Sequence, residues 1–237
     1  MLIDPHQLTD NLDRLEEIEK ASLRLVTQAI YDYRELAVLI FRAEGDMVAD
    51  IGEDITREAL DRLGTSRIDR RLFGKIDYKR ARYLFHPEYA IKQALFVDSK
   101  AEKVEGQATA TLQISQLSMR VKQIRAQQTV DEQGRLPTVL TYENDTFITT
   151  TVFVKYNYAE LGRQKELKTI RLAAVPNGML QERYNPDPLN TIWLAGRNAP
   201  SLGEEFRVRL SFKLLKQKAN WRVQTIPTPP LPFNWDD

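Results

Sequence analysis

Residues 75–100 read KIDYKRARYLFHPEYAIKQALFVDSK. The runs Lys75–Phe85 and Tyr89–Val97 alternate or are continuously apolar, and His86-Pro87-Glu88 separates them as a turn. That is the pattern of a β-hairpin. Asp77 and Asp98 lie 21 residues apart on its two arms, and a hairpin of that length brings the ends of its arms together. Asp98 and Lys100, two apart at the end of the second arm, point to one face of an extended strand. Two neighbouring carboxylates repel and call for a hard cation between them. An ammonium beside that cation can orient or deprotonate a water, making a nucleophile for phosphodiester hydrolysis. The alternative for the same residues is an exposed strand pair, Asp77 and Lys100, joined by a weak ion pair.

Outward from the hairpin the period changes. From Leu12 to about Phe41, Leu12, Leu15, Ile18, Leu25, Ala29, Tyr33, Leu36 and Ile40 recur at helical spacing between charged residues. This predicts one long amphipathic helix, or two in series. Its apolar face is a candidate subunit contact. The polar segment Glu44–Asp50 reads as a loop, and a second helix over Ile55–Leu63 ends at Gly64. Downstream, Thr146–Tyr158 (TFITTTVFVKYNY) is β-branched and aromatic and is the strongest strand signal. Lys168–Val175 and Phe206–Phe212 are further strands, and Leu112–Arg125 is compatible with a helix. Pro186 and Pro188 make Asn185-Pro186-Asp187-Pro188 a rigid corner. With no repeat and no linker, the expectation is a single domain over 1–237 of α/β (α+β) class. It has a mixed central β-sheet flanked by helices, mainly helical over 1–64 and sheet-rich over 65–237.

Composition narrows the chemistry. The 237 residues include 34 Lys+Arg, 33 Asp+Glu, two His and no Cys, with 42% hydrophobic and 28% charged residues, an ordinary globular balance. No apolar run approaches the roughly 20 residues of a membrane span, so no membrane association is expected. Met1–Asp10 lacks the basic-then-apolar pattern of a secretory leader. Without Cys there is no thiolate nucleophile, disulfide or cysteine zinc site, which fits a cytoplasmic (prokaryotic) setting. His6 and His86 both read as surface histidines, too few for a histidine-rich metal site. Catalysis is left to carboxylates, lysine and a hard metal ion, of which Mg²⁺ suits oxygen ligands. Residues 1–64 carry seven Lys+Arg against 15 Asp+Glu, net −8, and the remainder 27 against 18, net +9. That asymmetry suggests one face that meets a polyanion.

Two further groups are candidates. Glu53, in Gly52-Glu53-Asp54-Ile55-Thr56, is a third carboxylate at a helix start, where acidic residues are also favoured by the macrodipole alone. Arg207 and Arg209 share one face of a strand, with Val208 and Leu210 on the other. Paired guanidiniums on a strand can enter the major groove and read guanine O6 and N7, or simply hold phosphates. Lys79, Arg80 and Arg82 extend the first arm as phosphate contacts.

These residues together resemble the SfiI type II restriction endonucleases, within the PD-(D/E)xK nucleases, with Ile76-Asp77 in place of Pro-Asp. The likeness runs through Glu53-Asp54-Ile55-Thr56, Gly74-Lys75-Ile76-Asp77-Tyr78-Lys79-Arg80, Val97-Asp98-Ser99-Lys100-Ala101, Ser115-Gln116-Leu117, Arg183-Tyr184-Asn185-Pro186-Asp187-Pro188, Arg207-Val208-Arg209 and Trp221-Arg222. The resemblance implies that Asp77 and Asp98, with Ser99, hold Mg²⁺, that Lys100 serves the attacking water, and that Glu53 is an accessory acid. It makes Arg207 and Arg209 base readers. It implies a homodimer or homotetramer that cuts double-stranded DNA at an interrupted GC-rich palindrome, leaving 3′ overhangs. Between Lys103 and Thr111 the chain reads Val-Glu-Gly-Gln-Ala-Thr-Ala, where the family pattern has a basic residue. Two other readings keep part of the set: a structure-selective repair or junction nuclease of the same fold, and a non-catalytic DNA-binding module.

Overall fold

The computed structural model describes residues 2–44, 48–64, 81–106, 108–162, 164–195 and 206–237. Helix α1 (Leu12–Ala43) begins at Asn11, whose side chain accepts the Arg14 N–H, satisfying one of the donors a helix start leaves free. Of its expected apolar stripe Leu15, Ile18, Ala29 and Tyr33 are buried, whereas Leu12, Leu25 and Ile40 are half-buried and Leu36 is exposed. Helix α2 (Val48–Asp61) starts earlier than expected and stops before Gly64, which takes φ +65°. Glu53 therefore sits in the second turn of α2, not at its start, and the macrodipole does not account for it.

The hairpin is present as β1 (Arg82–His86) and β2 (Ile91–Lys103), antiparallel with Arg82 opposite Leu95 and His86 opposite Ile91. The turn is Pro87–Ala90, and His86 belongs to the strand. Its Nε2 donates to Gln93 Oε1 across the hairpin at 2.9 Å, and its ring stands edge-on to Tyr89. It is a half-buried, hydrogen-bonded residue, not the surface histidine expected.

The chain continues through β3 (Thr109–Gln113), β4 (Val121–Arg125), β5 (Gln128–Glu132), β6 (Val139–Tyr142), β7 (Asp145–Leu161) and β8 (Gln164–Val175). A one-turn helix α3 (Gln181–Tyr184), β9 (Trp193–Leu194), β10 (Arg207–Ser211), α4 (Phe212–Lys218) and β11 (Val223–Pro227) complete it. The main sheet runs β1-β2-β7-β8-β11, with β6 also on β7; β2 and β7 are parallel and the other pairs antiparallel. The expected mixed sheet is thus present. A smaller antiparallel sheet is ordered β3-β10-β9, and β4-β5 form a separate ribbon.

Leu112–Arg125 is not an α-helix but strand on either side of a one-turn 3-10 helix, Ile114–Gln116. Its buried apolar residues Leu112 and Ile114, then Leu117, Met119 and Val121, fall at two-residue intervals, the strand period. β4 closes onto β5 through Ala126 and Gln127, both at positive φ, as a two-residue hairpin turn requires. The Asn-Pro-Asp-Pro corner is structural. Asn185, fully buried, accepts from Lys122 N and donates to Lys122 O, while Asp187 Oδ1 accepts from Leu189 N and Asn190 N.

α1 and α2 cover one face of the main sheet through Leu95, Val154, Tyr156, Ile170 and Leu172. The opposite face, through Phe153, Ala173 and Val175, packs on the small sheet at Ala110, Leu112, Val208 and Leu210. Most of the apolar face of α1 is consequently used inside the chain, and of the expected subunit contact Leu36 stays exposed.

Candidate active site

Because β7 pairs with β2 from Gln93 to Lys103, Asp98, Ser99 and Lys100 lie inside a strand rather than at its end. The register sets Asp98 beside Phe153 and Lys100 beside Lys155, which turns both side chains toward the small sheet. Asp98 is only 2% exposed, and a carboxylate so buried needs hydrogen bonds. Gln116 Nε2 donates to Oδ2 at 2.6 Å, and the Ser99 N–H donates to Oδ1 at 3.0 Å. Lys100 Nζ donates to Thr111 O at 3.1 Å. Both side chains thus reach one segment, residues 109–116, and the shared face expected from their spacing is real.

Ser99 is buried too, but as the odd residue of the three it points to the helix side of β2. Its side chain is not placed to join Asp98 around a cation; its backbone N–H braces the carboxylate instead. Asp77 lies outside the described residues, as do Lys79 and Arg80. Among the described residues no three His, Asp or Glu gather into a metal-binding group. Asp98 offers a hydrogen-bonded oxygen donor of the kind that suits a hard divalent cation.

Glu53 is exposed. Its neighbour Gly52 lets α2 come down onto β2: a Cβ there would stand 3.2 Å from Ala101 N, 3.3 Å from Lys100 C and 3.1 Å from the Tyr156 ring. That close approach is on the Val97–Ala101 side of the strand, opposite to Asp98 and Lys100. The approach is made by Gly52, while Glu53 itself is turned to solvent. Arg82 is not the phosphate contact expected. It is buried, donating to Asp61 Oδ1 at 2.7 Å and to Arg57 O, so its guanidinium ties β1 to the end of α2. Arg207 and Arg209 are half-buried on β10 opposite Gln113 and Thr111, with Val208 and Leu210 in the core between them, as the alternation predicts.

Two residues of this region escaped sequence reasoning. Gln116 follows Gln113 in a one-turn 3-10 helix, where its Oε1 accepts the Gln113 N–H at 2.9 Å; nothing in its spacing points to Asp98. Lys155 had a signal, a lysine in the middle of the most apolar strand. It is fully buried, donates to Thr109 O at 2.6 Å and to Gly106 O, and pairs with Glu102 at 2.6 Å. Burial holds its pKa below the ordinary lysine range, against the opposing pull of Glu102.

The model of the family described as type II restriction enzyme SfiI matches residues 36–226. The chain belongs to the SfiI family of type II restriction enzymes. It is 38% identical over 232 residues to the type II restriction enzyme SfiI of Streptomyces fimbriatus, covering 91% of this chain and 85% of that one. Its fold superimposes with a TM-score of 0.84 on the crystal structure of tetrameric restriction endonuclease SfiI bound to cognate DNA, at 35% identity, covering 100% of this chain and 91% of that one. The restriction endonuclease BglI bound to its DNA recognition sequence shares the fold, with a TM-score of 0.76 and 19% identity over 95% of this chain and 94% of that chain. The chain is therefore a site-specific deoxyribonuclease, and the restriction-endonuclease fold implied by the resemblance is the one it has.

Proposed function

We propose that the protein acts as one endonuclease unit that makes Mg²⁺-dependent double-strand cuts in DNA at an interrupted, GC-rich palindrome, leaving 3′ overhangs. It works in the bacterial cytoplasm as a homodimer or homotetramer. The observation that carries this reading is the pair Asp98 and Lys100, turned onto one face of β2 and both anchored on residues 109–116.

Asp98 and Asp77 are the residues to hold Mg²⁺, an oxygen donor set that excludes soft metals. A bound Mg²⁺ would polarise the scissile phosphate and lower the pKa of a water. Gln116 and the Ser99 N–H keep the Asp98 carboxylate in one orientation. Lys100, on the same face, orients the attacking water, and hydrolysis breaks one P–O bond in each strand. Glu53, exposed on α2, is an accessory acid. Arg207 and Arg209 read base edges, while Lys79 and Arg80 hold the backbone. A palindromic target is read by a two-fold symmetric protein, which a dimer or a tetramer of dimers supplies.

Digesting phage DNA with the protein and Mg²⁺, then sequencing the fragment ends, tests the whole reading. Discrete ends at one symmetric sequence are expected. Random ends, or cutting only at branched DNA, would overturn it.

A further inference from the structure

The segment 109–116 touches two things at once. Along one edge β3 pairs with β10, setting Gln113 opposite Arg207 and Thr111 opposite Arg209. The Ile114 N–H donates to Phe206 O, extending that ladder by one residue. Toward the main sheet the same segment holds the two catalytic candidates, Lys100 through Thr111 O and Asp98 through the Gln116 amide. Gln116 is fixed at both ends of its amide, since its Oε1 accepts the N–H of Gln113. A shift of β10 and β3 that follows seating of the arginines would thus be transmitted by two hydrogen bonds, Gln113 N–H to Gln116 and Gln116 to Asp98.

We propose that Gln116 is a positioning residue through which the reading strand sets the orientation of the Asp98 carboxylate, so that base recognition is enforced at the cleavage step as well as in binding. The inference rests on the proposed roles of Arg207, Arg209 and Asp98. In this role Gln116 acts through the Asp98 carboxylate, not on the DNA or the attacking water directly. Hydrogen bonds to a metal-holding carboxylate fix its geometry, and losing one typically costs about 10- to 100-fold in metal affinity or activity.

The test compares wild type with Gln116→Met, which keeps length and loses the amide, and Gln116→Glu, which keeps shape and loses the donor. Gln116 is half-buried, so both variants should fold, and thermal melting verifies this. Binding to the cognate site and to sites with one substituted base pair is measured in EDTA; single-turnover cleavage of the same sites is measured in Mg²⁺. In wild type a substituted pair should slow cleavage by more than it weakens binding. In Gln116→Met cognate binding in EDTA should be unchanged, cognate cleavage should fall about 10- to 100-fold, and the excess penalty in cleavage should vanish. Wild-type cleavage rates in either variant would overturn the inference. So would a loss of rate equal on all sites with the excess penalty intact, because Gln116 would then only brace Asp98. If wild type itself fails to cut, it is the proposed function that falls.

Discussion

Asp98 and Lys100 are two residues apart yet are held in different ways. Asp98 is enclosed and accepts from an amide and a backbone N–H, whereas Lys100 is half-buried and donates to a carbonyl that a strand shift can move. On the proposed function, Asp98→Ala and Lys100→Ala should abolish cleavage while leaving specific binding in EDTA intact, since the base contacts are untouched. Gel-shift titration beside a cleavage assay checks both halves. A cutting Asp98→Ala variant would show the site misassigned. The arginines of β10 give a second prediction. Arg207→Ala or Arg209→Ala should cost about 1–3 kcal/mol of cognate binding and relax discrimination at one symmetric position. Lys79→Ala should weaken all sites alike and flatten the dependence on salt. Affinities for cognate and singly substituted sites separate the two, and equal losses on every site would make the arginines backbone contacts.

At the scale of elements, α1 is stapled to the turn that leads into β11 by a buried ion pair. Arg222, fully enclosed, lies between the rings of Tyr184 and Trp221 at 4.3 and 4.4 Å and donates to Glu19 Oε2 at 2.6 Å. Arg222 also reaches the less buried Glu16 at 3.3 Å, so Glu19→Ala leaves the guanidinium partly compensated and should destabilise by less than the roughly 3–5 kcal/mol of an orphaned buried charge. Urea unfolding measures it, and a joint replacement of Glu19 and Arg222 by apolar residues should recover much of the loss. The hairpin carries a pH term. Burial lowers the pKa of His86 below its usual 6.5, against the raising effect of its bond to Gln93. The folded protein thus binds the proton less readily than the unfolded chain, and this stability is present above pH 6.5 and lost on acidification through the lowered value. His86→Gln should show a flatter fall in melting temperature between about pH 7 and 5 than wild type.

For the whole molecule, the burial of most of the α1 stripe against the main sheet leaves little of it for the expected subunit contact. Leu36 and Leu39, on the outer rim of α1 at 38% and 59% exposure, should tolerate Leu36→Asp and Leu39→Asp with no change of oligomeric state in analytical ultracentrifugation. Dissociation of either variant would return α1 to the interface. The proposed metal dependence is also a property of the assembled enzyme: EDTA should stop cleavage and added Mg²⁺ restore it, and full activity in excess chelator would rule the mechanism out.

Much of this was legible in the order of residues. The stripe from Leu15 to Phe41, the hairpin around Pro87, the β-branched run of β7 and the alternation at Arg207-Val208-Arg209 are periodic signals. A period records which face a residue occupies whatever lies against it. The same rule placed Asp98 and Lys100 together, because two residues along any strand return to one face. What the order of residues could not decide was who packs on whom. The burial of Arg82 against α2, the approach of Gly52 to the far side of β2, and the half-buried hydrogen bonding of His86 depend on contacts between distant elements. So do the amide of Gln116 on Asp98 and the strand pairing that keeps 112–125 from being a helix. Such pairings join positions with no fixed separation in the chain, so no spacing announces them. Local periodicity determined the faces, and only the tertiary structure decided their partners.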